Sequence, residues 1–245
     1  MSESDEKPEL SEAGVRIVRH QNIESWLPAS GSSSLEAISA HIATHLGKVD
    51  TVLHEIASSL VHVDVHIVKP SAKFPYIRLV TSGMSDLPMN VPTELDVPKF
   101  LELMVTLPPD WKVDPESLKD EKWYWPVRLL KVLARFPHQY TTWLGYGHTI
   151  PNEDPPKPYA QNTRLCCALI LPSPTVPEKF INLEVFPEKS IYFLAVLPLY
   201  ADEMRLKLEK GGQVFLEKLV AAGITDLINP DRPAIVRPKK RFGIF

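Results

Sequence analysis

Val61, Val63, Val65 and Ile67 alternate with His62, Asp64 and His66, the period-two pattern of a strand with one face in a core and the other in solvent. Two more strand signals flank it, Thr51 to Ile56 and Tyr76 to Thr81, and the connections on either side are short. A parallel return needs a crossover of a dozen or more residues, so consecutive strands this close favour antiparallel pairing. The chain is thereby directed to folds built around a largely antiparallel sheet.

The remaining segments extend that sheet. Strands are expected at Val15 to Val18, Phe100 to Thr106, Leu165 to Leu171, Asn182 to Phe186 and Ile191 to Leu197, with Trp143 to Ile150 as a strand or extended loop. A helix is expected from Leu35 to Leu46, where Leu35, Ile38, Ile42 and Leu46 form one stripe. Ser33 and Glu36 have the spacing of a capping box, and Gly47 supplies the stop. Pro126 suits the first turn of a second helix, on which Val127, Leu130 and Ala134 repeat up to Pro137. A C-terminal helical region begins near Leu199, with Glu203 and Lys207 spaced for an i,i+4 pair, and Gly211-Gly212 divides it. About eight strands and three or four helices outside strict βαβ alternation predict an α+β fold, one domain with a mixed, largely antiparallel sheet flanked by helices. The expected domain spans residues 15–232, between a disordered acidic stretch, 1–14, and a basic tail, 233–245, that carries Lys239, Lys240 and Arg241 near Phe242 and Phe245.

At 245 residues and 44% hydrophobic side chains the chain can bury a full core, and a net charge of −3 provides no global positive field for a polyanion. Nucleic acid is therefore not an expected partner. Cys166 and Cys167 are neighbours in an apolar run, where strand geometry points them to opposite faces; they read as small core residues rather than a disulfide or zinc framework. No apolar run has the length of a membrane span, and the acidic N-terminus lacks the features of a signal peptide. A cytoplasmic location is expected.

Several groups of residues could carry chemistry. His62, Asp64 and His66 form a ligand set for iron or zinc, although alternate strand residues sit about 7 Å apart and the same pattern describes a solvated sheet face. His41 and His45 share a helix face at zincin spacing without the intervening glutamate of that motif, and read as partly buried surface residues. Gly83-Met84-Ser85-Asp86-Leu87 has the first glycine of a nucleophile elbow and lacks the second. A hydrolase with Ser85 as nucleophile, His148 as base and Asp86 as orienter stands against the simpler reading of loop hydrogen bonding. Phosphate-binding glycine loops are absent, and no cofactor is expected. Trp111, Trp123, Trp125 and Trp143, with Tyr124, Tyr140 and Tyr146, read mostly as core, although such residues also anchor protein interfaces.

The loop after Thr81 is constructed: Gly83 permits a sharp turn, Ser85 and Asp86 offer side-chain oxygens to loop amides, and Pro88 and Pro92 keep the exit extended. Leu79-Val80-Thr81-Ser82-Gly83-Met84-Ser85-Asp86-Leu87-Pro88-Met89 is the first of five ordered signatures. The others are Glu102-Leu103-Met104 leading to Leu107-Pro108-Pro109-Asp110-Trp111; Trp125-Pro126 before Leu133-Ala134-Arg135-Phe136-Pro137; Thr142-Trp143-Leu144 with Gly147-His148-Thr149-Ile150-Pro151; and Pro198-Leu199-Tyr200 with Glu203-Met204 and Gly211. Together, from about Ile38 to Arg232, they resemble the Suppressor of Fused domain family.

That resemblance implies a binding protein. Animal members restrain Hedgehog signalling by holding zinc-finger transcription factors and carry a second, C-terminal domain, for which no room is expected after Arg232. The chain is more similar to the single-domain bacterial branch, often regarded as immunity proteins that neutralise toxins of polymorphic secretion systems. The resemblance brings no established catalytic set. The expectation is a non-catalytic module whose partner is another protein, a toxin, with a sequestered transcription factor or an enzymatic role as alternatives. The residues expected at its binding surface are Thr81, Ser82, Gly83, Met84, Ser85 and Asp86, and with them Trp143, Gly147, His148 and Thr149.

Overall fold

Three consecutive strands, β3 (Val49–Leu53), β4 (Asp64–Val68) and β5 (Ile77–Ser82), form an antiparallel meander in the computed structural model, as their short connections require. The structure describes residues 9–18, 34–55 and 60–236. Ahead of the meander lie β1 (Glu9–Leu10), β2 (Arg16–Ile17) and α1 (Leu35–His45). After it come β6 (Phe100–Leu107), α2 (Glu121–Gln139), β7 (Thr149–Pro151), β8 (Cys167–Leu171), β9 (Asn182–Phe186), β10 (Lys189–Leu199), α3 (Ala201–Lys210) and α4 (Gly212–Ala221). Inside the stretch expected to be disordered, β1 pairs with β2, and Ala13 N donates to Leu208 O at 3.4 Å. The expected cap Ser33, the end of the Thr51 to Ile56 strand and the tail from residue 237 lie outside the described residues.

Among the described residues the main sheet has eight strands in the order β3-β4-β5-β6-β10-β8-β7, with β9 also paired to β10. All pairings are antiparallel except β6 with β10. The long excursion through α2, β7 and β8 supplies the crossover that a parallel pair needs. The fold is α+β.

Helices cover both faces of the sheet. On one, Val65, Ile67, Leu79, Leu103, Val105, Ile170 and Val196 pack with Leu130, Leu133 and Trp125 of α2. On the other, Val80, Met104 and Phe193 meet Ile38 and Ile42 of α1, while Leu169 and Leu197 meet Phe215 and Leu219 of α4. Each fully buried leucine or phenylalanine contributes roughly 1.5–3 kcal/mol. Because both faces are covered, the solvated face expected for the 61–68 strand is not found: Asp64 is 5% exposed and His66 1%.

The first helix starts at Leu35, as expected, and the second starts earlier than expected. Ser34 precedes α1 and makes no side-chain cap bond; its hydroxyl accepts from Lys189 Nζ at 2.9 Å. The second helix begins at Glu121, five residues before Pro126, where Asp120 accepts from Lys122 N at 3.0 Å. Pro126 therefore sits inside the helix, where it cannot donate to the Lys122 carbonyl. Asn162 Nδ2 takes up that oxygen at 3.3 Å. Trp125 stacks on Tyr159 and Trp111 meets Trp123 edge to face, so these aromatics are core as expected. Cys166 and Cys167 both reach one cluster, with their Sγ atoms 3.9 Å apart, because the strand begins only at Cys167 and the alternation does not yet apply to its predecessor.

Candidate functional site

Gly83 follows the last residue of β5 with φ at +105°, and a Cβ there would lie 1.9 Å from the His62 carbonyl oxygen. Glycine is thus required by backbone approach as well as by φ. A 3-10 turn, Met84–Asp86, then folds back over β6. At its centre is Glu102, fully buried, which accepts from Thr81 Oγ1 at 2.6 Å, Gly83 N at 3.0 Å, Ser85 N at 2.9 Å and Ser85 Oγ at 2.6 Å. Burial pushes the Glu102 carboxyl up to about 6, against the hydrogen bonds from Ser85 and Thr81 that hold it down. Thr81, Ser82, Met84 and Ser85 are buried. Ser85 donates its hydroxyl proton to the Glu102 carboxylate.

The histidines of the second constellation do not converge. Asp64 Oδ2 lies 2.9 Å from His54 Nδ1 and Oδ1 3.1 Å from His62 Nε2, and Oδ1 also accepts from Glu55 N at 3.0 Å. His66 bonds Ser82 Oγ instead, at 2.9 Å, and burial lowers its imidazole to about 4 despite the nearby Asp64. His41 Nε2 donates to Phe180 O at 3.0 Å between the Phe180 and Phe193 rings. Among the described residues no group of three or more His, Cys, Asp and Glu is arranged to hold a metal ion.

At the far edge of the sheet, the chain between α2 and β7 forms one wall of a groove. Trp143 folds its ring onto His148, centroids 4.3 Å apart, and packs across Gly145, where a Cβ would meet it at 2.7 Å. Gly147 N donates to Ile170 O at 2.8 Å and His148 O accepts from Ile170 N at 2.9 Å, continuing the β7 ladder backwards. The opposite wall is α4. Between them lies a pocket of about 790 Å³ lined by Tyr146, His148, Leu169, Lys207, Phe215, Leu216 and Val220, among others. Tyr146 and Val220 are 60% and 76% exposed at its rim. Lys207 lines it at 5% exposure, hydrogen-bonded to Thr149 Oγ1 at 3.4 Å. Burial lowers both the Lys207 amine and the His148 imidazole, the latter also because Lys207 is near.

A family model described as Suppressor of fused protein (SUFU) matches residues 59–233. The chain belongs to the Suppressor of fused protein family. No curated protein matches the sequence. Among solved structures it is similar to a Suppressor of fused homologue from Neisseria gonorrhoeae, with 18% identity and a TM-score of 0.58 over 83% of this chain and 97% of that one. The Sufu–Fu complex structure aligns at 14% identity and TM-score 0.57, over 85% and 93% of the two chains. Drosophila Suppressor of Fused aligns at 16% identity and TM-score 0.57, over 86% of this chain and 52% of that one, so this chain spans about half the Drosophila length. At these identities the structural likeness concerns the fold.

Within this Suppressor of fused fold the expected site residues fall into two groups. Thr81, Ser82, Gly83, Met84, Ser85 and Asp86 close over Glu102 at the end of β5, whereas Trp143, Gly147, His148 and Thr149 stand at the groove beside β7. Strands β6, β10 and β8 lie between β5 and β7, so four strand spacings, about 19 Å, separate the two along the sheet. Ser85, His148 and Asp86 are accordingly not assembled as a hydrolytic set. Their neighbours link the two groups: Asn90 N donates to Thr142 O at 3.0 Å and Leu144 N to Met89 Sδ at 3.4 Å.

Lys207, Phe215 and Val220 were not among the expected site residues. The i,i+4 spacing pairs Lys207 with Glu203, but Glu203 turns to Arg232 and to the Tyr200 amide, leaving Lys207 to the groove. No helical periodicity signals this, because the choice depends on Arg232, twenty-nine residues further along the chain. Among the described residues no helix is long and apolar enough to cross a membrane.

Proposed function

We propose that this chain is a non-catalytic protein-binding module, its domain running from residue 15 to 232, that acts in the cytoplasm as an immunity protein by covering and neutralising a toxin. The observation that carries the reading is the groove beside β7: a concave apolar surface with large exposed side chains, Tyr146 and Val220, at its rim. Exposed aromatic and aliphatic groups around a pocket are what a protein interface uses as anchors. Membership of the Suppressor of fused family supports it, since one solved relative is a Sufu–Fu complex.

In this reading Trp143, Gly147, His148 and Thr149 form the partner-facing wall. The segment Thr81, Ser82, Gly83, Met84, Ser85 and Asp86 borders the surface from behind, holding the Met89–Asn90 stretch against Thr142 and Leu144. Affinity capture of the native chain from its own cells, with neighbouring genes expressed, tests the proposal. Recovery of one protein in near-equal amount, lost when Val220 is replaced by Asp, is the expected result. A bait that stays empty, or a stoichiometric partner indifferent to Val220→Asp, would overturn the module or its surface respectively. The identity of the captured protein separates toxin from regulator.

A further inference from the structure

Lys207 is the unusual group in the groove. A buried ammonium normally has a carboxylate partner, because desolvation penalises the charge. Among the described residues none lies within ion-pair distance of its Nζ, and its hydrogen bond is a single long one to Thr149 Oγ1. The nearest candidate on its own helix, Glu203, has both oxygens taken by Arg232. Around Lys207 the lining is largely apolar, with Leu169, Phe215, Leu216 and Val220, and it also carries His148, Gln213 and the carboxylate Glu217, whose Oε1 accepts from Gln213 Nε2 at 3.2 Å. The side chain is buried yet open to the cavity, with at least one ammonium proton left to donate.

From this we infer that the groove receives a segment of the partner protein that combines large apolar side chains with one carboxylate, and that the carboxylate docks on Lys207. This rests on the protein-binding reading above and specifies the partner's chemistry. The apolar residues would fill the space between Tyr146 and α4, and the acid would find a cation already stripped of most of its water. Desolvation is then largely complete before binding, which strengthens the ion pair formed. An apolar segment without an acid would bury Lys207 unpaired, and a basic one would meet like charge, so the same residue rejects both.

The test uses a displayed library of random dodecapeptides selected on the native chain. Selected sequences are expected to be apolar with a recurrent Asp or Glu. A synthesised binder should lose about tenfold or more in affinity on Lys207→Met. Changing its acid to the amide should cost the same on the native chain and nothing further on Lys207→Met. Lys207→Met should remain folded with an unchanged or higher melting temperature, since it removes a desolvated charge and keeps the apolar stem. Val220→Asp, on an exposed position of α4, should also weaken binding and gives a second variant that does not depend on the buried site. Binders without an acidic preference, binders indifferent to Lys207→Met, or no binders at all would overturn the inference. If a stoichiometric natural partner is still captured in any of those cases, the protein-binding reading survives and only the carboxylate assignment falls.

Discussion

Arg232 closes its guanidinium on the Glu203 carboxylate, with Nη1 2.6 Å from Oε1 and Nη2 2.5 Å from Oε2, both side chains buried. The pair joins the first turn of α3 to the segment that follows α4. Glu203 also accepts from the Tyr200 and Ile235 amides, and Tyr200 Oη donates to Arg232 O at 2.5 Å. Breaking one side leaves a buried charge alone, which costs about 3–5 kcal/mol. Arg232→Ala should lower the unfolding free energy by that amount in urea titrations, and Glu203→Gln by less, because the amide keeps an acceptor for Tyr200 N. Equal stability of Arg232→Ala and the native chain would show that the pair contributes nothing.

Glu102 makes the stability depend on acid in an unusual direction. Its carboxyl is raised from 4.5 to about 6, so the folded state binds the proton more tightly than the unfolded one. The associated stability is present in full below about pH 4.5 and is lost as pH rises through about 6, a change of about 2 kcal/mol. Glu102→Gln should remove that component: the difference in unfolding free energy between native chain and variant should fall between about pH 4.5 and 6.5. A difference that stays flat across this window would contradict the assignment.

His66 acts in the opposite sense. Its folded-state value of about 4 lies below the ordinary 6.5, so neutral imidazole is favoured in the fold. The stability it supplies is complete above about pH 6.5 and declines as pH falls toward about 4. The direct check is a proton NMR titration of the His66 ring, which should remain neutral down to about pH 4. A His66 midpoint near that of a free imidazole would overturn this.

Gly83→Ala tests whether the loop over Glu102 depends on close backbone approach. Alanine would have to adopt φ near +105° with its Cβ against the His62 carbonyl, so β5 and the chain entering β4 must separate. A loss upwards of about 3 kcal/mol is expected in thermal or chemical unfolding. Alanine at Gly147, which also has positive φ but open space around it, should cost clearly less.

Much of this architecture is legible in local pattern. The Val61 to Val68 alternation and its neighbours predict the meander, Ile38 and Ile42 predict the buried stripe of α1, and Gly211 predicts the break between α3 and α4. The five signatures predict the family, which the match over residues 59–233 bears out. Harder to read are features in which two distant segments compete for one partner. Pro126 suggests a helix start because proline is tolerated there, yet Asn162 supplies the missing donor and the helix begins earlier.

What the sequence determined by itself was everything governed by period and by single-residue backbone constraints: strands, helices, the Gly83 turn and the class of fold. Spacing along one element acts over a few ångströms, and those positions are neighbours whatever the rest of the chain does. Tertiary structure alone decided the parallel meeting of β6 and β10, the covering of the Asp64 and His66 face, and the division of Glu203 and Lys207 between different partners. Each of these depends on which remote surface arrives, and on whether it brings a counter-charge. Arg232 reaches Glu203, and Lys207 is left facing the groove.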